Sequence, residues 1–193
     1  MHLLEPPHKG CIRFMHINTG GINPQAGYTE YKILLTNLQQ IHSDVFSVNE
    51  NCLDTSQPKN QKELYDARKA INKYSTHIFH TSLESFPKAY RPGGTMVGTT
   101  YHISGRIEDK GTDNKGRWTW VQLTGKKGKK VLTISAYRVS QTYSSEAGYS
   151  TAYMQQYRAF IKKISTTLSP NRDASWTLLL SYKTGRIHMM MAV

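Results

Sequence analysis

Three residues of unlike chemistry stand at the ends of three apolar stretches. Asn18 closes Ile12 to Asn18, Glu50 closes Val45 to Glu50, and Tyr137, followed by Arg138, closes Val131 to Arg138. An α/β protein keeps its chemistry at the carboxyl ends of strands, so an amide, an acid and a phenol at three such ends predict one shared site. Arg138 adds a guanidinium that can hold two phosphate oxygens at once. A second cationic group, Gly125-Lys-Lys-Gly-Lys-Lys130, reads either as a solvated turn or as a contact for phosphate backbone through Lys126, Lys127, Lys129 and Lys130. Neither group identifies a base sequence.

The elements that must carry these tips follow from periodicity. Residues 1–10 are expected to be a flexible leader, broken by Pro6, Pro7 and Gly10. Cys11 to Asn18 reads as a strand that turns at Gly20-Gly21. Thr29 is expected to cap a helix whose apolar set is Tyr31, Ile33, Leu34, Leu35, Leu38 and Ile41. Asp44 to Glu50 is the next strand. A polar connection holding Pro58 leads to a helix marked by Leu64, Ala67, Ile71 and Tyr74. Strands follow at 76–81 and 95–103, separated by a loop with Pro87, Pro92, Gly93 and Gly94. Trp118 to Leu123 and Val131 to Ala136 form a hairpin with the lysine-rich tip. Tyr153, Met154, Tyr157, Phe160, Ile161, Ile164 and Leu168 mark the longest helix, and Trp176 to Leu180 a final strand.

Length and composition bound the rest. A chain of 193 residues fits one full-sized domain, expected over 11–193. Hydrophobic content of 38% with 12 tyrosines argues for a folded, aromatic-rich globule. A formal charge of +12 attracts polyanions over long range, which makes nucleic acid the first partner to consider. Cys11 and Cys52 are too few for a disulfide framework and lack the paired spacing of a zinc site, so a reducing, intracellular location is the default. No apolar run reaches the length of a membrane span, and a soluble chain is expected. Ser85-Phe-Pro-Lys88 and Lys183-Thr-Gly185 match fragments of serine hydrolases, but Pro87 keeps Ser85 and Lys88 from sharing the helical turn that chemistry needs.

Met15-His-Ile-Asn18, Glu50 at the end of Val45-Phe-Ser-Val-Asn-Glu, Gly93-Gly94-Thr95 and Ile134-Ser-Ala-Tyr-Arg138 resemble, in order, signature stretches of the endonuclease/exonuclease/phosphatase superfamily. Glu50-Asn-Cys-Leu-Asp54 and the Tyr137-Arg138 pair are most similar to its retrotransposon-encoded (LINE-type) endonuclease branch. The resemblance covers about residues 11 to 180. It implies an α/β fold of two mixed sheets packed as a sandwich with helices outside, four layers in all. It also implies Mg²⁺-dependent (or Mn²⁺-dependent) phosphodiester hydrolysis, with nucleic acid as substrate and DNA before RNA. Glu50 is then a metal ligand, Asn18 helps hold the metal or phosphate, and Tyr137 contacts the scissile phosphate. Mg²⁺ suits such a set, because it takes a few oxygen ligands together with water and phosphate.

The chain also departs from that pattern. The family places a Gly-Asp-x-Asn stretch after the strand that corresponds to Trp176 to Leu180, whereas Ser181-Tyr-Lys-Thr184 stands here. A later Ser-Asp-His stretch has no counterpart, and His188 lacks the preceding Ser-Asp. The expectation is a C-terminally truncated, catalytically incomplete domain with an open sheet edge, and Met189 to Val193 as part of its uncovered surface. The alternative is a non-catalytic basic module that binds nucleic acid through charge and aromatic residues.

Overall fold

The computed structural model of the chain describes residues 11–23, 27–53, 55, 57–71, 76–80, 93–112, 118–136, 155, 158–159, 162, 177–179 and 191–192. Sheet A contains β1 (Phe14–Asn18), β2 (Val45–Asn49), β3 (Thr76–His80) and β4 (Thr95–Thr99) in the order β1-β2-β4-β3. β1 and β2 are parallel, and the other two pairs are antiparallel. Sheet B contains β5 (Ile107–Thr112), β6 (Trp118–Thr124), β7 (Lys130–Ala136), β8 (Thr177–Leu179) and β9 (Met191–Ala192), in chain order. Its β7–β8 pair is parallel, and the others are antiparallel. The two mixed sheets pack face to face, as expected of the sandwich.

Two cores result from the alternation of strand side chains. On the outer face of sheet A, helices α1 (Thr29–Gln40) and α2 (Pro58–Ile71) lay Tyr31, Leu35, Leu38, Leu64 and Ala67 against Phe46, Val48 and Met96. Between the sheets, Val45 and Val97 meet Val121 and Leu123, with Phe14 and Val131 at the margin. Each such side chain contributes about 1.5–3 kcal/mol when fully withdrawn from water. All five residues of β2 are buried, as a strand covered on both faces must be. The tip of the Phe46 ring sits against Gly98, where a Cβ would stand 2.1 Å from its Cζ. Only glycine admits that contact.

A buried carboxylate ties the strand starts together at the base of sheet A. Asp44 Oδ2 accepts the Arg13 N–H at 2.7 Å, and Oδ1 lies 2.9 Å from His102 Nε2. The Asp44 carbonyl accepts the Thr100 N–H at 2.9 Å. This knot holds the one-turn helix α3 (Tyr101–Ser104) against the start of β2.

Several boundaries differ from expectation. Thr29 is the first helical residue of α1, because Tyr28, in a left-handed conformation, holds the cap position without a side-chain bond. Ile33, assigned to the apolar face, is 54% exposed. Pro58 lies inside α2 as its first residue, where a missing N–H costs nothing. The strand expected over 95–103 ends at Thr99, and Tyr101 to Ser104 turn into α3. β5 was not foreseen. Met191–Ala192 pairs with β8 and is the terminal strand of sheet B on that side. Within the expected long helix, Gln155, Arg158, Ala159 and Lys162 are helical, and the remainder lies outside the described residues. No helix among the described residues is long and apolar enough to cross a membrane.

Candidate active site

The parallel pairing of β1 with β2 brings two of the expected groups to one place. The register sets Asn18 opposite Asn49, so Glu50 emerges beside the end of β1. Thr19 fastens the two tips. Its N–H donates to the Asn49 carbonyl at 3.1 Å, and its hydroxyl donates to the Glu50 carbonyl at 2.9 Å. Asn18 is exposed, and its Oδ1 accepts the Gly20 N–H at 3.0 Å, an Asx turn that holds the amide at the rim.

Glu50 does not continue the strand. Its φ of 56° lies in the left-handed region, and Cys52 repeats the departure at 52°. Such non-glycine residues cost about 1–3 kcal/mol each and persist only where the surroundings enforce them. The enforcing contacts are visible. The Asn51 and Cys52 N–H groups donate to the carbonyls of Gly94 and Gly93, at 3.4 and 2.9 Å, and the Ile22 N–H donates to the Asn51 carbonyl at 2.9 Å. Gly93 and Gly94, with φ of 95° and 82°, form the bend that presents those carbonyls. Glu50 is half-buried as a result, with its Oε1 shielded from solvent.

Sheet B reaches the same end of the sandwich. The Asn49 side-chain Nδ2 donates to the Ala136 carbonyl at 2.9 Å, and Ser135 Oγ donates to Asn49 Oδ1 at 2.6 Å. Thr95 and Thr119, also buried, share a 2.7 Å hydroxyl contact beside them. The last residue of β7 is therefore fixed beside the residue that precedes Glu50. Tyr137 and Arg138 follow Ala136 directly in the chain and lie outside the described residues.

Of the expected site residues, Asn18 and Glu50 thus share one end of sheet A, and β7 ends beside them. The lysine-rich turn does not belong to that end. Lys126–Gly128 forms a 3-10 turn before β7, and Lys129 and Lys130 follow it. Six strand steps, about 20 Å, separate Lys130 from Ala136. Lys130 also pairs with Glu108 at 2.6 Å, so the turn, whether a solvated turn or a contact for phosphate backbone, stands apart from the tips. Sequence reasoning missed Thr19, Asn49 and Ser135. For Asn49 and Ser135 the signal available was a polar residue at a buried position of an otherwise apolar strand.

The donor set at the tips consists of oxygen ligands. Glu50 offers a carboxylate, and the Asn18 carbonyl oxygen retains a second lone pair beyond its bond to Gly20. Mg²⁺ needs no more protein than one or two such ligands when water and phosphate complete its octahedron, so the residues fit that ion. Among the described residues no group of three or more His, Cys, Asp or Glu gathers.

No protein-family model matches the chain, and no curated protein sequence does either. Solved structures do. The 3′ phosphatase NExo from Neisseria, bound to a product DNA hairpin, is similar with a TM-score of 0.56 at 15% identity, over 88% of this chain and 57% of that one. An AP endonuclease from Archaeoglobus fulgidus is similar with a TM-score of 0.53 at 12% identity, over 87% and 56%. An endonuclease/exonuclease/phosphatase family protein from Leptotrichia buccalis gives 0.50 at 11% identity, over 88% and 66%. The chain thus spans roughly 56–66% of the length of these proteins. At such identities the likeness is one of architecture, and the described residues have the two-sheet fold of the endonuclease/exonuclease/phosphatase structures.

Proposed function

We propose that the converging tips form a divalent-metal phosphodiester site directed at nucleic acid, with DNA as the first substrate class. The observation that carries this reading is the position of Glu50, forced out of strand geometry beside Asn18 and beside the end of β7. Glu50 and Asn18 would hold Mg²⁺ or Mn²⁺, which when bound supplies charge neutralisation at the phosphoryl oxygens. Tyr137 donates its phenolic hydrogen to a phosphoryl oxygen, and Arg138 grips the flanking phosphate through two N–H groups. The net charge of +12 steers the polyanion toward the protein. The product DNA hairpin held by the Neisseria phosphatase supports DNA as the class.

Water activation is the weak part of this chemistry. After β8 the chain offers Ser181, Tyr182, Lys183 and Thr184, with no carboxylate to accept a proton. A positioned general base contributes about 10²- to 10⁴-fold, so this chain alone is expected to bind metal and DNA and to cleave slowly at most. The retrotransposon-type branch, read from Glu50-Asn-Cys-Leu-Asp54, remains part of the proposal. A Mg²⁺-dependent nicking assay on supercoiled plasmid tests it. The expected result is slow nicking that stops with chelator and with Glu50→Ala. Nicking that survives Glu50→Ala contradicts the site, and salt-sensitive DNA binding with no nicking favours the non-catalytic basic module.

A further inference from the structure

Asn49 is 1% exposed and Ser135 fully buried, on strands where valine or leucine would pack as well. Buried amides are retained at a cost unless every polar atom finds a partner, and Asn49 uses both ends of its side chain. The amide nitrogen takes the carbonyl of residue 136, and the amide oxygen takes the hydroxyl of residue 135. Ser135 Oγ also lies 3.2 Å from the Val48 carbonyl. Two consecutive residues of β7 are thereby matched by one side chain of β2, and a slip of β7 along β2 breaks both bonds together. Next in the chain after Asn49 comes Glu50, and next after Ala136 comes Tyr137.

We infer that the Asn49–Ser135 pair is a positioning device that holds the Glu50 carboxylate in register with the end of β7. Asn49 directs both ends of its side chain at β7. It anchors the chain just before Glu50, whose backbone leaves the strand in the left-handed conformation, while Thr19 holds the Glu50 carbonyl. The neighbouring Thr95–Thr119 contact joins the same two sheets through a separate pair of hydroxyls, on the residues that lie opposite Asn49 and Ser135 in register. It is the internal control for a role confined to stability.

This inference rests on the metal reading of Glu50, and Mn²⁺ binding followed by electron paramagnetic resonance separates the two. Wild-type protein is expected to bind Mn²⁺ in a manner abolished by Glu50→Gln, and Asn49→Leu is expected to weaken that binding about tenfold, the range found for residues that orient a metal ligand. Thr119→Val should leave Mn²⁺ affinity unchanged. If Asn49→Leu fails to fold, Ser135→Ala removes one of the two bonds and should weaken binding about two- to threefold. Wild-type affinity in folded Asn49→Leu or Ser135→Ala overturns the inference, as does an equal loss in Thr119→Val. Absence of Glu50-dependent binding in the wild-type protein overturns the metal reading itself, whatever the variants do.

Discussion

The two faces of sheet A are held in different ways. Its outer face meets α1 and α2 through the apolar side chains of Phe46, Val48, Met96, Leu35, Leu38 and Leu64. The inner face begins in the same manner, with Val45 and Val97 against Val121 and Leu123, and then changes character toward the tips, where Asn49, Thr95, Thr119 and Ser135 replace aliphatic side chains. Apolar burial is non-directional and supplies most of the cohesion. Hydrogen bonds add less net energy but dictate distance and register. The protein is therefore glued on one face and aligned on the other.

Phe46→Ala attacks the first mechanism and should have the larger effect. It empties the space over Gly98 and removes a fully buried ring, a change that typically costs about 3–5 kcal/mol. Denaturant unfolding should show that loss, while Mn²⁺ affinity of the remaining folded protein stays at the wild-type value. A parallel fall in affinity would contradict the division of labour between the faces.

Glu108→Gln lies at the other extreme, on the exposed edge far from both cores. Its carboxyl is held below the usual carboxylate range, first by the hydrogen bond from Lys130 and then by that from Gln122. A lowered folded value means that the stabilisation is complete above the ordinary carboxylate range and is lost as pH falls through the lowered one. The substitution should lower Tm slightly at neutral pH, and the difference from wild type should vanish in strong acid and shrink with salt. A difference of equal size at neutral and strongly acidic pH would refute this origin.

The sequence made α1 and β2 legible because their burial is periodic, and the hairpin legible because two alternating runs flank glycines and lysines. β5 was illegible for the opposite reason. As an edge strand it exposes Glu108, Asp109 and Lys110, so neither alternation nor an apolar run marks it. Thr100 to Ile103 misled because the Thr- and Val-rich run before them favours a strand, whereas the bonds from Thr100 to the Asp44 carbonyl turn the chain away. Glu50 and Asn18 were legible as strand-end polar residues. Asn49 was not, since its importance lies in reaching a partner 87 positions away, a relation no local pattern records.

Anomalous diffraction from crystals grown with Mn²⁺ tests the convergence of the tips most directly. The expected result is a single strong peak with a Glu50 carboxylate oxygen about 2.1 Å away, the distance of an octahedral oxygen ligand, and Asn18 within its coordination shell. A peak elsewhere, or no peak at Glu50 under saturating Mn²⁺, would contradict the assignment of this end of the sandwich as the metal site.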